Sequence, residues 1–318
     1  MAEGKRGRFW GSEAANGLAL VSPTAIYAIL LLAAPLAFIL IASVLTDGYL
    51  TIIPKFQLCN YFGECSSYKE VDGVLTATQK YRGAWTDPVL FSVMVRSLVV
   101  SILVTVTTVA LAYPMAYFIS FNVAPARKGI WLFLITIPFW TSYVIRVFMW
   151  NAILGFSGVI NSALLGINVF GWHLIDRPLD MTYSIQAMVI TLAHSFAPFA
   201  ILPIYVALEK IDRSLLEAGQ DLGETRFATF LRVTLPLSMS GVVAAVLIVF
   251  IPTIGDYVTP KLVGGAKFPM IANAIEVLML KGDNKPLGSA IAVSAMLIVG
   301  LISVLFLFLN RRYLRGPK

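Results

Sequence analysis

The sequence predicts an all-α membrane protein with six transmembrane helices. Only 13% of its 318 residues are charged and 58% are hydrophobic, whereas a soluble domain carries about a quarter charged residues. A helix needs about 20 apolar residues to cross a membrane, while the strands of a membrane barrel alternate over about ten. Six continuous apolar runs meet the helical requirement: Leu18–Leu45, Val89–Phe121, Ile130–Leu154, Met181–Leu208, Leu237–Val258 and Leu287–Leu309.

The first apolar run follows three basic residues, Lys5, Arg6 and Arg8, as the hydrophobic part of a secretory signal does. The run is too long for such a signal, and no small-x-small cleavage site ends it. We therefore expect an uncleaved span that is preceded by a short tail over residues 1–17.

The basic residues indicate how the spans are oriented. If the N-terminus is cytoplasmic, the cytoplasmic segments hold 13 basic and 7 acidic residues, and the opposite segments hold 9 and 10. Lys and Arg concentrate on the cytoplasmic side of membrane proteins. We therefore predict a multi-pass protein of the bacterial inner membrane, in contact with lipid and with both termini cytoplasmic. The cytoplasmic segments are then 1–17, 122–129, 209–236 and a tail that covers 311–318.

Residues 46–88 form a polar insertion on the predicted periplasmic side that is longer than a linker needs to be. The insertion contains both cysteines of the chain, Cys59 and Cys65. The compartment outside the inner membrane is oxidising, which favours a local disulfide bond between them. Two free thiols are the alternative.

The segment 260–286 separates the last two spans and is also predicted to be periplasmic. After Pro269 it places apolar residues on one helical face and Asn273 and Glu276 on another. We expect a short interfacial helix here. The apolar face comprises Ile271, Ala274, Ile275 and Leu278.

The chain lacks the residue clusters of an enzyme or a metalloprotein. It holds two cysteines and two histidines, His173 and His194, too few for a zinc, haem or iron–sulfur centre. His194 and Ser195 are the one dipeptide that suggests catalysis, but their span holds no carboxylate, so we predict an interhelical hydrogen-bonding pair. The net charge of +7 is spread over the ends of the apolar runs, which indicates membrane topology rather than nucleic-acid binding.

The loop before the fifth span is predicted to consist of two short helices joined by a bend. Ser214 and Glu217 have the spacing of a capping box, with Asp212 as a rival cap just upstream. Gly223 is suited to a left-handed helix stop. Ala218 and Gly219 have almost no side chain, so another surface can approach closely. That surface is either a second protein or the membrane helices of this chain.

The spacing within this loop resembles the EAA loop of bacterial ABC importer permeases. Glu217, Ala218 and Gly219 are followed after three residues by Gly223, and after nine more by Val233, one residue and then Leu235-Pro236. The family signature has alanine at the position of Gly219 and isoleucine at that of Val233. The resemblance implies that the residues that contact the ATPase are Glu217, Ala218, Gly219, Asp221, Gly223, Leu235 and Pro236.

The resemblance covers about residues 18–310 and implies a type I ABC importer permease fold. It further implies pairing with a second permease, an ATPase dimer that receives the loops, and a periplasmic substrate-binding protein. No Gly-x4-Gly-Lys-Ser/Thr phosphate loop is present. The permease therefore has no cofactor of its own, because ATP and Mg²⁺ bind to the partner ATPase. A secondary transporter, the rival class, would leave the loop without a purpose.

Within this family the segment Ile137–Trp150 is similar to the third span of the spermidine/putrescine permeases. The segment Ile251–Pro260 is also similar to these permeases. The resemblance implies a polyamine substrate or a related amine. Asp256 beside Tyr257 offers a carboxylate and a ring to an ammonium group, and Trp140 and Tyr143 add aromatic surface. Arg146 repels a cation, unless it pairs with Asp256 or supports the helix bundle. If Arg146 lines the path unpaired, an anion or an amino-acid derivative becomes the better substrate.

Overall fold

The computed structural model describes residues 13–48, 51–71, 74–166, 168–169, 172–173, 175, 177–282 and 284–314. These residues are mainly helical. The helices are α1 (Glu13–Ala42), α2 (Pro88–Tyr117), α3 (Pro125–Thr136), α4 (Tyr143–Leu154), α5 (Val159–Gly166), α6 (Ile185–Glu209), α7 (Arg213–Asp221), α8 (Arg226–Thr229), α9 (Leu235–Ile254), α10 (Val258–Leu262), α11 (Ile271–Glu276), α12 (Lys285–Leu309) and α13 (Arg311–Leu314).

Six stretches of the described chain are helical, long and apolar enough to cross a membrane, which confirms the predicted number of spans. They are Ala19–Ala42, Pro88–Asn122, Tyr143–Gly166, Ile185–Glu209, Arg226–Ile254 and Lys285–Leu309. Successive spans run in opposite directions, so the connections alternate between two sides. We call the side with residues 43–87 the hairpin side and the side with residues 210–234 the loop side.

The prediction of one continuous third span over Ile130–Leu154 is wrong, because the helix is interrupted within this range. Helix α3 passes into a 3₁₀ turn over Ile137–Trp140, and Thr141 and Ser142 are extended before α4 begins. Pro138 contributes to the change, because it lacks the backbone N–H that a continuous α-helix would use at this position. The long helical stretch consequently lies later in the sequence, over Tyr143–Gly166. The fifth span also ends earlier than predicted, at Ile254, and Val258 belongs to α10.

The buried core lies where α2, α6 and α9 pack against one another. Gly241 of α9 allows the closest approach, because a Cβ atom there would lie 2.5 Å from the carbonyl oxygen of Pro203 and 2.6 Å from Cβ of Ala207. Any larger residue would force α6 and α9 apart. Fully buried side chains of this core include Val100, Val104, Leu192, Ile204, Ala245 and Val249. Helix α1 contrasts with them, because Leu20 and Leu32 are 82% and 70% exposed.

The insertion on the hairpin side is folded into antiparallel hairpins, which the sequence analysis does not predict. Strands β1 (Leu45–Asp47) and β2 (Ile52–Phe56) form the first hairpin, and β3 (Glu64–Val71) and β4 (Val74–Arg82) form the second. Short strands β5 (Asn168–Val169) and β6 (Trp172–His173) pair later in the chain.

Buried polar contacts attach the insertion to the membrane helices. The side-chain amide of Asn60 donates to the carbonyl oxygens of Ser43 and Leu45, at 3.0 and 2.8 Å. The Asn60 side-chain oxygen accepts from the hydroxyl of Tyr81 at 2.8 Å. Burial raises the pKa of Tyr81 to about 12. The indole of Trp85 donates to Ser294 of α12 at 3.0 Å. A disulfide bond joins Cys59 to Cys65 within this insertion.

The predicted interfacial helix between the last two spans is present as α11, which continues through a π-helical turn over Val277–Lys281. Ile271, Ile275 and Leu278 pack into one apolar cluster, as their helical spacing predicts. On the other face, the Glu276 carboxylate lies 3.1 Å from the ammonium of Lys261. The hydrogen bond from Lys261 lowers the pKa of Glu276.

Candidate coupling loop and translocation cavity

The first helix of the loop, α7, begins at a cap that the sequence analysis named only as a rival. The Asp212 carboxylate accepts a hydrogen bond from the backbone N–H of Ser214 at 3.0 Å, and this bond lowers the pKa of Asp212. Ser214 therefore lies inside α7, so the capping box proposed for Ser214 and Glu217 is wrong. An aspartate at this position caps a helix as well as serine does.

The bend between α7 and α8 depends on Gly223. Its φ angle is +86°, the left-handed conformation that the sequence predicts for a helix stop. The Gly223 N–H donates to the carbonyl of Gln220 at 2.9 Å, and the Glu224 N–H donates to that of Gly219 at 3.1 Å. An ion pair of 2.6 Å between Glu224 and Arg232 then ties the two arms of the loop together.

The two faces of α7 have different surroundings. Gly219 faces inward, where a Cβ atom would lie 3.2 Å from the side chain of Thr229. Leu216 packs against the main core on the same side. Glu217 and Ala218 are exposed on the opposite face. The helix therefore rests on its own bundle through one face and leaves the other free.

Large apolar side chains extend the free face of the loop. Leu215 is 47% exposed, Leu222 86% and Phe227 70%. Asp221 is exposed beside them. A surface that combines small residues with exposed apolar side chains is typical of a protein interaction site.

The loop joins α9 without an interruption. A π-helical turn over Phe230–Thr234 precedes Leu235 and Pro236, which lie in the first turn of α9. Pro236 has no N–H to donate to the carbonyl of Arg232, and a wider turn accommodates that gap. Phe230 packs edge-on against Tyr113 and Tyr117 of α2, with ring centroids 5.6 and 6.0 Å apart. The loop thus contacts the second span directly.

A cavity of about 530 Å³ lies between α4, α6 and the end of α9. Four of the five residues predicted for the substrate path line it: Tyr143, Arg146, Asp256 and Tyr257. Trp140 is not among the lining residues, and its side chain is 81% exposed. The extended residues Thr141 and Ser142 separate Trp140 from α4, so it does not share the face of Tyr143.

The carboxylate of Asp256 is buried and held by its own chain. One oxygen accepts from the hydroxyl of Tyr143 at 2.9 Å and from the backbone N–H of Val258 at 3.2 Å. The other accepts from the N–H of Thr259 at 3.2 Å. Asp256, which is only 8% exposed, therefore accepts from the first two backbone N–H groups of α10 from a position just before the helix.

Arg146 lines the cavity without an acidic partner among the described residues, so the predicted alternative of a pair with Asp256 is wrong. One guanidinium nitrogen is 3.4 Å from the carbonyl oxygen of Ser195. The guanidinium carbon lies 5.8 and 6.0 Å from the ring centroids of Phe139 and Tyr143. Within the described chain, the Nε atom of Arg146 and the hydroxyl of Ser195 are buried without a hydrogen-bond partner.

The sequence analysis missed several residues of this cavity. Phe139 belongs to the same quoted segment as Tyr143. Ser195, Phe196 and Phe199 line the wall from α6, and their spacing of one helical turn around Pro198 was the available signal. The neighbouring His194 accepts a hydrogen bond from the indole of Trp150 at 3.0 Å. That bond confirms the predicted interhelical role of His194. The same prediction is wrong for Ser195, whose hydroxyl has no hydrogen-bond partner within the described chain.

Among the described residues, no three of the types His, Cys, Asp and Glu lie close enough to hold a metal ion. Six spans, a bent loop with a free face and a largely apolar cavity that contains Arg146 and Asp256 together define a membrane permease. The chain belongs to the family described as the binding-protein-dependent transport system inner membrane component, whose sequence profile matches residues 72–315.

Known proteins support this assignment. The spermidine/putrescine transport system permease protein PotB of Salmonella typhi is 34% identical over 220 residues, which cover 69% of this chain and 75% of that protein. PotB of Haemophilus influenzae is 33% identical over 225 residues, or 71% and 77% of the two chains. These matches confirm the resemblance to the spermidine/putrescine permeases.

Solved structures share the fold at low identity. A bacterial ABC transporter that imports the acidic polysaccharide alginate contains a chain with a TM-score of 0.66 and 16% identity, covering 96% of this chain and 99% of that one. A chain of the MetNI methionine ABC transporter gives a TM-score of 0.51 at 16% identity, over 72% and 100%. This protein is therefore an inner-membrane permease subunit of an ABC transporter, and a separate ATPase hydrolyses the ATP.

Proposed function

We propose that this chain forms half of the path of a polyamine uptake system, with a second permease forming the other half. A periplasmic binding protein delivers the solute, and an ATPase dimer binds ATP and Mg²⁺. The PotB relatives are permeases for spermidine and putrescine, which supports the substrate class. The aromatic and acidic lining of the cavity is consistent with an amine.

The observation that carries the transport proposal is the free face of the loop. Glu217 and Ala218 are exposed at the family positions, and Leu222 and Phe227 offer apolar contacts beside them. We infer that this face enters a cleft of the ATPase, with Asp221, Gly223, Leu235 and Pro236 shaping the loop. Closure of the ATPase dimer would then move the loop and rock the helices between two states.

The cavity would admit the amine between rings and a carboxylate. Phe139, Tyr143 and Tyr257 supply ring faces, and the buried carboxylate of Asp256 supplies negative potential without needing to lose its own hydrogen bonds. A charge in a membrane path is retained where it serves recognition or is satisfied locally. Asp256 is satisfied locally by its three hydrogen bonds, and the proposal assigns it the role in recognition.

One observation favours a second candidate substrate class. The cationic group of Arg146 lines the cavity with no acidic partner among the described residues. An anion or an amino-acid derivative would pair with that guanidinium. The two classes are distinguished by measuring which solute is carried.

The test is uptake of labelled spermidine, putrescine and glutamate by the complete transporter in proteoliposomes. Wild type is expected to carry the amines, and Asp256→Asn to reduce their uptake about tenfold, because a buried charge interaction is worth one to a few kcal/mol. Asp87→Asn is the matched control, since Asp87 caps α2 through its carboxylate but lies outside the cavity. Transport of glutamate alone, or unchanged amine uptake in Asp256→Asn, would reject the amine proposal.

A further inference from the structure

An ion pair between the buried Lys128 and Glu209, whose side chain is 42% exposed, connects the loop to the second span and to α3, which leads into the third. We propose that Ser120, Lys128, Glu209 and Arg213, here called the ion-pair link, carry the movement of α7 to these spans during transport. The inference rests on the proposed role of the loop in coupling to the ATPase. It assigns a positioning role to residues outside the loop's family motif.

The contacts of the link are short and converge on Glu209, the last residue of α6. The ammonium of Lys128 lies 2.6 and 2.8 Å from the two carboxylate oxygens of Glu209. The hydroxyl of Ser120 donates to the same carboxylate at 3.2 Å. The guanidinium of Arg213 donates to the backbone carbonyl of Ser120 at 3.2 Å.

The arrangement spans the joint between α6 and α7. Glu209 ends α6 and Arg213 begins α7, and only residues 210–212 lie between them. Glu209 and Arg213, which lie on the two sides of this joint, both form hydrogen bonds with Ser120 at the end of the second span. Helix α7 therefore cannot swing about the joint without displacing Ser120 or breaking these bonds.

The burial of Lys128 makes the ion-pair link resistant to separation. Lys128 is 7% exposed, and a lysine is rarely buried unless it is paired. Separating this lysine from Glu209 would leave a charge without its partner in a largely water-free position, which is costly. The bonds should therefore move together with α7 rather than break.

Ser120 and Lys128, the members of the ion-pair link outside α6 and α7, lie where a displacement can be passed on to the membrane helices. Ser120 lies in a π-helical turn over Phe118–Asn122 that ends the second span, and such turns often occur at functional sites. Lys128 lies in the first turn of α3, which continues through the 3₁₀ turn to Trp140, and the extended residues Thr141 and Ser142 then connect it to Tyr143 at the cavity. The link thus joins the loop to the helix that leads to the cavity wall.

The test compares the amount of spermidine transported per ATP hydrolysed by the complete transporter in proteoliposomes. The variant Lys128→Met with Glu209→Met removes both charges together, so that the buried lysine position is not left with an unpaired charge. We expect this ratio to fall about tenfold, within the range of known allosteric couplings. Arg213→Gln, which alters an exposed side chain, should lower the ratio by less. Glu276→Gln, which breaks an ion pair on the hairpin side, should not change it.

The variant Lys128→Glu with Glu209→Lys exchanges the two charges and distinguishes a positioning role of the ion pair from a role in folding alone. Recovery of the ratio in this variant supports the link, because the bond between the segments is restored. A wild-type ratio in both the double methionine variant and Arg213→Gln would show that the pair only supports folding. Glu217→Ala separates the two proposals. If Glu217→Ala leaves the amount of spermidine transported per ATP unchanged, the proposed coupling role of the loop is wrong. If Glu217→Ala lowers this ratio and neither the double methionine variant nor Arg213→Gln does, only the proposed role of the ion-pair link is wrong.

Discussion

The loop and the cavity both combine acidic and aromatic side chains, yet they expose them in opposite ways. In the loop, Leu222 is 86% exposed and Phe227 is 70% exposed. In the cavity, Asp256 is 8% exposed, and three hydrogen bonds from Tyr143 and the start of α10 satisfy it. The loop therefore presents side chains that its own chain does not contact, whereas hydrogen bonds from the chain itself satisfy the Asp256 carboxylate in the cavity.

This difference separates two functions within one chain. A surface that lacks contacts can change with little loss of stability, because surface substitutions usually alter the free energy of unfolding by about 0.5 kcal/mol or less. Loss of a cap costs about 1 kcal/mol in addition to any effect on function. Variants of the loop should therefore impair coupling in a folded protein, while variants of Asp256 should affect both recognition and stability.

The largest expected effect concerns the side of the membrane on which each region lies. The basic residues predict that the loop is cytoplasmic and the hairpins periplasmic. Reporter domains fused after Lys128 and Arg312 should report cytoplasm, and those inserted near Ser66 and Lys267 should report periplasm. The reverse pattern would place the loop out of reach of an ATPase.

The next effect tests the bend of the loop. Gly223→Asp should abolish uptake and weaken retention of the ATPase during purification, because the bend has a φ of +86° beside the free face. The substitution also costs about 1 kcal/mol through the loss of a left-handed glycine.

Gly63→Asp provides the matched control for that cost. Gly63 has a φ of +97° on the hairpin side, and, as at Gly223, a Cβ atom would meet nothing within 4 Å. We expect this variant to transport normally. Equal loss of transport in both variants would mean that backbone strain, rather than the loop, accounts for the effect.

These regions also differ in how much of them the sequence reveals. Six spans, the left-handed Gly223 and the helix at Ile271–Glu276 follow from bilayer length, glycine chemistry and helical periodicity. Each of these signals is local. The contact of Asp256 with Tyr143 is not local, because Tyr143 lies 113 residues away in the sequence.

Three other features could not be predicted from the sequence, each for its own reason. The hairpins of the insertion depend on Asn60, which bridges residues 15 to 21 positions away. The break after Trp140 follows from Pro138, but proline is common in membrane helices and does not by itself locate an interruption. The cap of α7 is Asp212 rather than the predicted Ser214, because these two residue types have nearly equal capping preference and the sequence does not decide between them.

A smaller effect is expected at the cavity. Arg146→Gln should lower the KM for a cationic amine about fivefold, because removing a like charge at short range gains about 1 kcal/mol. Uptake kinetics of putrescine in proteoliposomes measure this change. Arg146→Lys keeps the charge and should keep the KM. A higher KM in Arg146→Gln would indicate that the guanidinium attracts the solute, as expected for an anion.

The most direct test of the account is a cross-link from the free face of the loop. Ala218→Cys places a thiol on the exposed face of α7, while Ser66→Cys places one on the hairpin side. In the assembled transporter, a short thiol–amine cross-linker should join residue 218 to the ATPase and should not join residue 66 to it. If residue 218 cross-links only to its own chain, or if residue 66 reaches the ATPase, the loop is not the coupling surface.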